Sequence, residues 1–436
     1  MEQYLHAIRI DQERCQGRMA CMRKCVTEAI RVRGGKARII AERCIDCGEC
    51  ITACPNNAII PLTDSFTDFS KFKYSIAIPS PSLFAQFDKD VTPDKILAGL
   101  KEIGFDDAYD SSFACESVSL AIQEYLDNYH GPKPLISSSC PTIVRLIQVK
   151  YPELVDLVIP IELPREIAAR EVKIEKSKEL GLKREEIGAI YLTPCPAKIL
   201  SIKQPAEKEK SQLDSAISIV DIYSPLLSAI TSLKKEEESP KKSCGIGMDW
   251  ATLGGVTRSL KAEDCLAVAG LSNAIKVLND IENGSLKDIE FVECLSCSGG
   301  CIGGSLTVEN VYVSRSKVIK LVELLGETPQ QDRDKIRQLY RKNYFFMEAK
   351  LLPRPLKPLD RDISKAIEKM REKQTIYESL PKIDCGACGS PNCMAFAEDV
   401  VRGEVEIDNC IFKLQEKLKE LTGDLLLEHN EKMRQV

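Results

Sequence analysis

The stretch "ECLSCSGGCIGG", Glu293 to Gly304, holds three cysteines and four glycines in twelve positions. A zinc ribbon repeats paired cysteines within about 20 residues, and a disulfide needs no such density of glycine. Because glycine has no side chain, it lets the backbone come close to a bound group. The stretch therefore predicts that Cys297 and Cys301 hold a cofactor against closely packed backbone.

Apolar runs typical of β-strands lead into this stretch and into two cysteines upstream. The run "IEFVE" precedes Cys297, "LISSSC" ends on Cys140, and "IYLTPC" ends on Cys195. Segments of helix length separate the runs, and strands that alternate with helices predict parallel α/β layers. Because ligands gather beyond the carboxyl ends of parallel strands, these cysteines and Cys301 are expected to converge on one buried 4Fe–4S cube.

The composition narrows the class of protein. The chain has 436 residues and a net charge of -5, which predicts at least two domains. We find no sustained basic stripe for nucleic acid, no apolar run near the ~18 residues of a membrane span, and no signal-peptide core at the start. We therefore expect a cytoplasmic protein that binds neither nucleic acid nor membrane.

Cysteine usage indicates the kind of cofactor. There are 19 cysteines and only 3 histidines. Disulfides are rare in a reducing cytosol, and zinc enzymes usually recruit histidine. Many thiolates with few histidines favour iron–sulfur chemistry.

The N-terminal region carries a two-cluster ferredoxin motif. The run "RCIDCGECITACP" has the spacing C-x2-C-x2-C-x3-C-P, in which the fourth cysteine serves the other cluster. One complete 4Fe–4S cube is therefore predicted on Cys25, Cys44, Cys47 and Cys50.

The partner half of that motif departs from the pattern. In "RCQGRMACMRKC" the second ligand position is Arg18, so the other cluster has only Cys15, Cys21 and Cys54. A protonated guanidinium offers no lone pair. We expect a 3Fe–4S cluster there, or a 4Fe–4S cluster with water or another weak ligand on the fourth iron.

A third group of cysteines lies near the C-terminus. "DCGACGSPNCMAFAEDVVRGEVEIDNC" places Cys385, Cys388, Cys393 and Cys410 at the spacing C-x2-C-x4-C-x16-C. This resembles the small 4Fe–4S domain of corrinoid proteins and of sensory-type FeFe-hydrogenases, with zinc as the alternative. An apolar seam follows on a predicted helix, at Ile411, Leu414, Leu418, Leu421 and Leu425. It either packs on its own domain or mediates association with a second copy or a partner.

The segments "SSSCP", "TPCPAK" and "ECLSCSGGCIGGS", in this order, resemble the three signature segments of the FeFe-hydrogenase catalytic domain. With the ferredoxin-like head, the resemblance covers nearly the whole chain. It implies that Cys140, Cys195, Cys297 and Cys301 bind the cube, and that Cys301 bridges to a diiron unit carrying CO, CN⁻ and a dithiolate amine. It also implies that hydrogenase maturation proteins install this unit.

The same resemblance assigns further residues to the diiron pocket. Lys198 matches the lysine that donates to one cyanide, and Pro79 and Ser80 match the turn that contacts the other. The glycines of the third segment match the close wall around the diiron unit; they are Gly299, Gly300, Gly303 and Gly304.

Other pocket positions depart from the catalytic members. Ser139 stands where a cysteine normally shuttles protons. Leu295 and Thr193 replace methionines, and Ser201 replaces a glutamate. Arg165 stands where a neutral residue is expected, and Trp250 replaces a phenylalanine or packs in the core. We find no relay glutamates in "ACESVSLAIQEYL".

Four cysteines remain, at positions 115, 244, 265 and 294. Buried free cysteines are often inert, and we expect the same of these four. Cys294 alone is close enough in sequence to the predicted cube to raise a second interpretation.

The predicted fold is an α/β catalytic domain, with parallel sheets in two lobes around a buried cluster. It is combined with an α+β ferredoxin-like N-terminal domain and a small α-rich 4Fe–4S C-terminal domain. The predicted boundaries are 1–65 for the ferredoxin-like domain, 70–350 for the catalytic domain, 351–365 for a linker, 366–412 for the C-terminal domain and 413–436 for a helix.

The predicted function is a slow FeFe-hydrogenase of the sensory, HydS-like type, which catalyses H2 ⇌ 2H⁺ + 2e⁻. Its expected partners are H2, protons, a redox or signalling protein, and a second copy through the C-terminal helix. The alternative is a non-catalytic iron–sulfur protein for electron transfer or cluster assembly that lacks the diiron unit.

Overall fold

The computed structural model describes residues 5–65, 69, 71–233, 243–260, 262–354 and 356–434, with the backbone alone from residue 423 onward. The chain divides into two units. The larger unit comprises residues 1–9, 45–48 and 61–354, and the smaller comprises residues 10–44, 49–60 and 355–436. The smaller unit thus contains most of the ferredoxin-like segment together with the C-terminal cysteines.

The strands are β1 Ile8–Ile10, β2 Ile30–Arg33, β3 Lys36–Ile39, β4 Ile59–Pro61, β5 Tyr74–Pro79, β6 Asp107–Ala108, β7 Leu135–Ile136, β8 Ile187–Thr193, β9 Ser215–Ser218, β10 Cys265–Ala269 and β11 Phe291–Leu295. The helices are α1 Ala20–Lys24, α2 Glu49–Ala53, α3 Pro81–Phe84, α4 Pro93–Glu102, α5 Ser112–Asp127, α6 Pro141–Lys150, α7 Pro164–Leu180, α8 Pro196–Lys203, α9 Ile219–Ser232, α10 Gly245–Asp249, α11 Gly255–Ser259, α12 Leu271–Glu282, α13 Val311–Leu325, α14 Arg333–Arg341, α15 Ile363–Ser379, α16 Cys393–Val401 and α17 Ile411–Arg434. Short 3₁₀ turns span 41–43, 152–157, 184–186, 301–303 and 407–409.

A four-stranded parallel sheet forms one lobe of the larger unit, in the order β6-β5-β8-β9. All seven residues of β8 are buried, as expected for a central parallel strand covered on both faces. Phe84, Phe87, Ile190 and Leu226 belong to one core cluster beside this sheet. Their burial holds the carboxyl ends of β5 and β8 in fixed positions.

A three-stranded parallel sheet forms the second lobe, in the order β10-β11-β7. Strand β7 has only two residues, because the apolar run of "KPLISSS" gives way at once to serines. The predicted α/β class with parallel sheets in two lobes is confirmed. The loops that leave β7, β8 and β11 carry the cysteines singled out in the sequence.

The smaller unit contains the antiparallel hairpin β2-β3. Gly34 and Gly35 join the strands with φ values of 55° and 73°, which a tight two-residue hairpin loop requires. A separate apolar cluster joins α15 and α16, where Leu380, Phe396 and Ala397 are buried. Among the described residues, no helix is long and apolar enough to cross a membrane.

Candidate active site

Two of the cluster cysteines sit at strand-to-helix turns. Cys140 is the N-cap of α6 and Cys195 is the N-cap of α8, and a proline occupies the first turn of each helix. The residue before a proline is held in an extended conformation, whereas proline itself suits the first helical position. The dipeptide Cys-Pro therefore ends the approach segment and starts the helix at the sulfur-bearing residue.

The four predicted ligand cysteines lie close enough to affect one another's charge. Ser296 Oγ lies 3.5 Å from Cys140 Sγ and 3.6 Å from Cys297 Sγ. Burial raises the pKa of Cys297, and the neighbouring Cys195 and Cys140 thiols raise it further. Burial also raises the pKa of Cys195 to about 11, against the opposing charge of Lys198.

A bound metal centre would offset the electrostatic cost of placing these buried sulfurs together. Buried sulfurs that repel one another as thiolates are stabilised when a metal deprotonates and ligates them. The donor set is four cysteines from three separate loops, which suits a 4Fe–4S cube. The residues present therefore fit the predicted cluster.

Lys198 lies directly against this sulfur group. Its Nζ donates to Cys301 Sγ at 3.2 Å, and the side chain is 7% exposed. Burial lowers the pKa of Lys198, but the negative charges of Cys301, Tyr191 and Cys195 together outweigh burial, and the net pKa is raised. The structure thus holds an ammonium ion in contact with the sulfur predicted to bridge to the diiron unit.

A cavity of about 50 Å³ opens beside Cys301. The described residues that line it are Ser80, Pro81, Ser111, Cys115, Ser139, Pro164, Arg165, Tyr191, Lys198, Trp250, Ala251, Leu295 and Cys301. The predicted pocket residues Ser80, Ser139 and Lys198 therefore line the same cavity. Pro79 is not in this lining, and its carbonyl oxygen accepts a hydrogen bond from Ser111 Oγ at 2.5 Å.

Two of the departures noted in the sequence pair with each other. Arg165 Nη2 donates to Ser201 Oγ at 2.7 Å, and Ser201 Oγ donates to the carbonyl of Lys198 at 3.0 Å. Both side chains are at least 95% buried. The cavity therefore contains a second cation, Arg165, held by the serine that replaces the expected glutamate.

The four glycines of the third signature segment pack against other protein atoms in the structure. A Cβ on Gly300 would lie 2.6 Å from the carbonyl oxygen of Ala251, and one on Gly304 would lie 2.4 Å from that of Pro194. A Cβ on Gly303 would meet the Ser298 carbonyl at 2.3 Å, and one on Gly299 would meet Val311 at 2.7 Å. These four glycines do not line the cavity, so their direct contact with the cofactor stays a prediction.

Six described residues of the cavity lining are not assigned to the pocket by the sequence, namely Pro81, Ser111, Cys115, Pro164, Tyr191 and Ala251. We expected an inert buried thiol, and the structure places Cys115, 3% exposed, in the wall shared with Ser139 and Cys301. Only its position on the buried face of α5 could have signalled this. Cys294 lies buried within β11 and outside the cavity lining.

The acids of α5 do not reach the cavity. Glu116 is 1% exposed and accepts hydrogen bonds from the Cys244 thiol at 3.1 Å and from the backbone of Gln330 at 2.7 Å. Glu124 pairs with Arg337. The described cavity lining contains two cations and no carboxylate.

One loop of the ferredoxin motif belongs to the larger unit. Residues 45–48 carry Cys47, and a Cβ on Gly48 would collide with Ser305 and touch Pro196. Asp46 Oδ1 accepts the Ala7 backbone N–H at 3.0 Å. The Cys47 loop thus lies against the residue that follows Cys195, while the cube predicted for Cys25, Cys44, Cys47 and Cys50 stays a prediction.

The smaller unit holds the three-cysteine site. Cys15, Cys21 and Cys54 line one cavity with Arg18 and Val32 among its walls. Backbone N–H groups of Ala37 and Ala58 lie 3.3 Å from the sulfurs of Cys15 and Cys54. Such N–H···S bonds stabilise ligating thiolates.

Arg18 does not supply a fourth ligand. Its guanidinium donates to Gln16 Oε1 through Nε at 3.3 Å and Nη2 at 3.2 Å, on the exposed side. The residues of this site therefore fit a cluster with three protein thiolates, and the cluster type stays a prediction.

Three regions of the chain match known protein families. Residues 73–264 and 258–305 match the family described as iron only hydrogenase large subunit, C-terminal domain, over more than half of the chain. The chain belongs to this iron-only hydrogenase family. Residues 7–55 match a 4Fe-4S dicluster domain, and residues 380–412 match an Fe-S cluster domain.

Individual relatives are distant. Iron hydrogenase 1 of Clostridium pasteurianum is 26% identical over 288 residues, covering 53% of this chain and 50% of that protein. The cytosolic Fe-S cluster assembly factor narfl of Xenopus tropicalis is 21% identical over 383 residues, covering 70% and 80%. The match spans about half the length of this iron hydrogenase and of the NADP-reducing hydrogenase subunit HndD of Solidesulfovibrio fructosivorans.

A solved structure matches the fold of the family. A variant of the FeFe-hydrogenase HydA1 from Chlamydomonas reinhardtii superposes with a TM-score of 0.50 at 17% identity. The match covers 66% of this chain and 98% of that one. The FeFe-hydrogenase fold of the larger unit is thereby confirmed.

Proposed function

We propose that this iron-only hydrogenase family member is a slow FeFe-hydrogenase that catalyses H2 ⇌ 2H⁺ + 2e⁻. The observation that carries the proposal is the buried Lys198 ammonium, 3.2 Å from Cys301 Sγ, in the lining of a small cavity. A protein that held only a cube would need neither this cation nor a cavity beside one ligand. A diiron unit with CO, CN⁻ and a bridging dithiolate, when bound, supplies the open iron for hydrogen chemistry.

The residues of the chain have separate roles in this proposal. Cys140, Cys195, Cys297 and Cys301 hold the cube, and Cys301 also anchors the diiron unit. Lys198 would donate to an anionic ligand of that unit, and Ser80, in the lining of the same cavity, would donate to another. Buried donors aimed at a developing negative charge act strongly because water is excluded.

Proton delivery is the weak step of this site. Ser139 Oγ accepts a hydrogen bond from Ser137 Oγ at 2.9 Å, and a serine hydroxyl does not titrate near neutral pH as a thiol of pKa about 8.5 does. The described cavity lining offers no carboxylate to continue a relay. Slow turnover suits a sensor, whose redox state must persist rather than cycle.

Replacing Ser139 with cysteine tests that limit. We expect S139C to raise hydrogen evolution by less than tenfold, or under ~1.4 kcal/mol of barrier, because the rest of the relay is missing. The measurement is the hydrogen-evolution rate of the matured parent and variant. A parent as fast as catalytic hydrogenases, or a variant restored to such rates, would show that a relay exists.

A sensory role needs a partner, and α17 offers an apolar surface. Ile411, Leu414, Leu418 and Leu421 are 41–52% exposed on one helical seam; the side chain of Leu425, predicted for the same seam, lies outside the described residues. We propose that this seam mediates association with a second copy. A reducing compartment such as the cytoplasm would keep the cluster thiolates available.

Truncation after Cys410 tests the seam. We expect it to remove any dimer seen by light scattering, and L418E to do the same because it places a charge in the seam. K419E, one residue along and off the seam, should leave the dimer intact. A parent that is monomeric at high concentration contradicts self-association.

The second candidate is a cluster-binding protein without the diiron unit. The similarity to narfl over 80% of that assembly factor favours it. Hydrogen evolution from reduced methyl viologen distinguishes the two. We expect hydrogen from the chain after maturation and none from the same chain carrying cubes alone; equal background from both preparations would favour the second candidate.

A further inference from the structure

The ligand loop of the C-terminal cluster site packs onto β2. Gly389, which follows ligand Cys388, accepts the Val32 backbone N–H at 2.9 Å. A Cβ on Gly389, whose φ is 79°, would lie 1.8 Å from the Val32 carbonyl oxygen. Only glycine permits this approach, so the contact between the loop and β2 is specified by the sequence.

A second contact joins the same loop to α1. Arg23 Nη2 donates to the carbonyl of Cys385 at 3.2 Å. A Cβ on Gly386 would lie 3.1 Å from Cε of Met22. Met22 and Arg23 directly follow ligand Cys21, so the two cysteine-bearing segments touch.

Buried ion pairs fix this arrangement. Asp399 Oδ2 accepts from Arg31 Nε and from Arg33 Nη2, both at 2.6 Å, and Arg31 and Asp399 are at most 2% exposed. Arg33 Nη1 also donates to the Cys388 carbonyl at 2.8 Å, and Nη2 donates to Ser390 Oγ at 2.8 Å. A buried charge pair is costly to break by removing one partner, so the two segments are held together firmly.

The strand that receives the loop also walls the three-cysteine site. Val32 lines the cavity of Cys15, Cys21 and Cys54, and its N–H bonds to the C-terminal loop. One residue of β2 therefore lies between the two cluster sites. A second bridge runs from Cys21 through Met22 to Gly386.

We propose that the C-terminal 4Fe–4S site exchanges electrons directly with the Cys15/Cys21/Cys54 site across β2, and that Arg33 is the positioning residue of this contact. One electron leaves the reduced C-terminal site, which is oxidised, and the three-cysteine site is reduced by the same electron. A low-potential one-electron donor replaces the electron at the C-terminal site, where Cys385 is exposed. The proposal needs only these two cluster sites, so it stands apart from the diiron unit and from hydrogen turnover.

Electron paramagnetic resonance of the full chain with its clusters, reduced with dithionite and recorded in both perpendicular and parallel mode, tests the contact, because a reduced 3Fe–4S cluster has integer spin. Two reduced clusters in close contact broaden each other's signals. We expect the signal of the three-cysteine site, identified by its change in R18C, to be broadened in the parent and to sharpen when C393A removes the C-terminal cluster. An unchanged signal in C393A, or broadening confined to the Cys25/Cys44/Cys47/Cys50 signal, would overturn the proposal.

Arg33 gives a second, independent test by redox titration. Its charge stabilises the reduced, more negative C-terminal cluster, so R33Q should lower the midpoint potential of that site, and R33K should keep it near the parent value. R371Q, an exposed arginine of α15, is the matched control and should change nothing. A potential unaffected in folded R33Q, or lowered equally in R371Q, contradicts the role of Arg33.

Discussion

Replacing Lys198 with methionine is expected to abolish retention of the diiron unit and to lower hydrogen turnover at least about 100-fold, or about 2.7 kcal/mol. Methionine keeps the apolar stem of the side chain and removes the ammonium that contacts Cys301 Sγ at 3.2 Å. An anionic ligand in the cavity would then be buried without its donor. An unpaired buried charge is costly, so the unit should fail to bind rather than bind weakly.

The matched control is K203M on the same helix. Lys203 is 40% exposed at the side chain and pairs with Asp64 at 2.8 Å. Its loss should change stability by no more than about 0.5 kcal/mol and leave hydrogen turnover unchanged. The absorption of the cube should survive in both variants. A K198M protein that retains the diiron unit and its activity would show that Lys198 does not hold it.

Replacing Gly300 with alanine is expected to lower the free energy of unfolding substantially. Gly300 has φ 104° and ψ -164°, a region that is almost exclusive to glycine and costs about 1–3 kcal/mol for other residues. The new Cβ would also lie 2.6–2.8 Å from backbone atoms of Ala251, Thr252 and Leu253. Overpacking adds about 1–3 kcal/mol, so we expect a total loss of roughly 2–6 kcal/mol in the free energy of unfolding.

Gly326 provides a control with the same backbone but open space. Its φ is 80° and its ψ is 164°, and no atom of the described residues, apart from Gly326 itself and its two chain neighbours, lies within 4 Å of a Cβ built there. G326A should therefore lose only the cost of the backbone conformation, about 1–3 kcal/mol in the free energy of unfolding. Denaturant unfolding of the cluster-free G300A and G326A proteins separates the cost of the backbone conformation from the cost of overpacking. Equal losses of unfolding free energy in the two variants would mean that overpacking against the Ala251–Leu253 backbone does not destabilise G300A.

The sequence predicts the site better than it predicts the packing around it. The cysteines at 140, 195 and 297 could be placed because each follows an apolar run, and Cys-Pro marks where a strand-like approach becomes a helix. These are local signals that the chain carries within about ten residues. They were sufficient for the α/β class and for the convergence of the sulfurs.

Long-range packing left no such local signal. The pairs of Arg31 and Arg33 with Asp399 join residues more than 360 positions apart, so no local pattern could indicate that these segments contact each other. Cys115 was missed because its role depends on which side of α5 faces the cavity. Strands β6, β9 and β10 do not belong to the apolar runs singled out in the sequence, and they pair as the outer strands of their sheets.

The infrared spectrum of the chain after maturation tests the central claim most directly. The measurement uses a preparation whose iron content shows the cubes to be filled. The account predicts sharp CO and CN⁻ bands in the matured parent, retained in K203M and lost in K198M. A matured parent with filled cubes and no such bands would contradict it, and the chain would then be a cluster-binding protein without hydrogen chemistry.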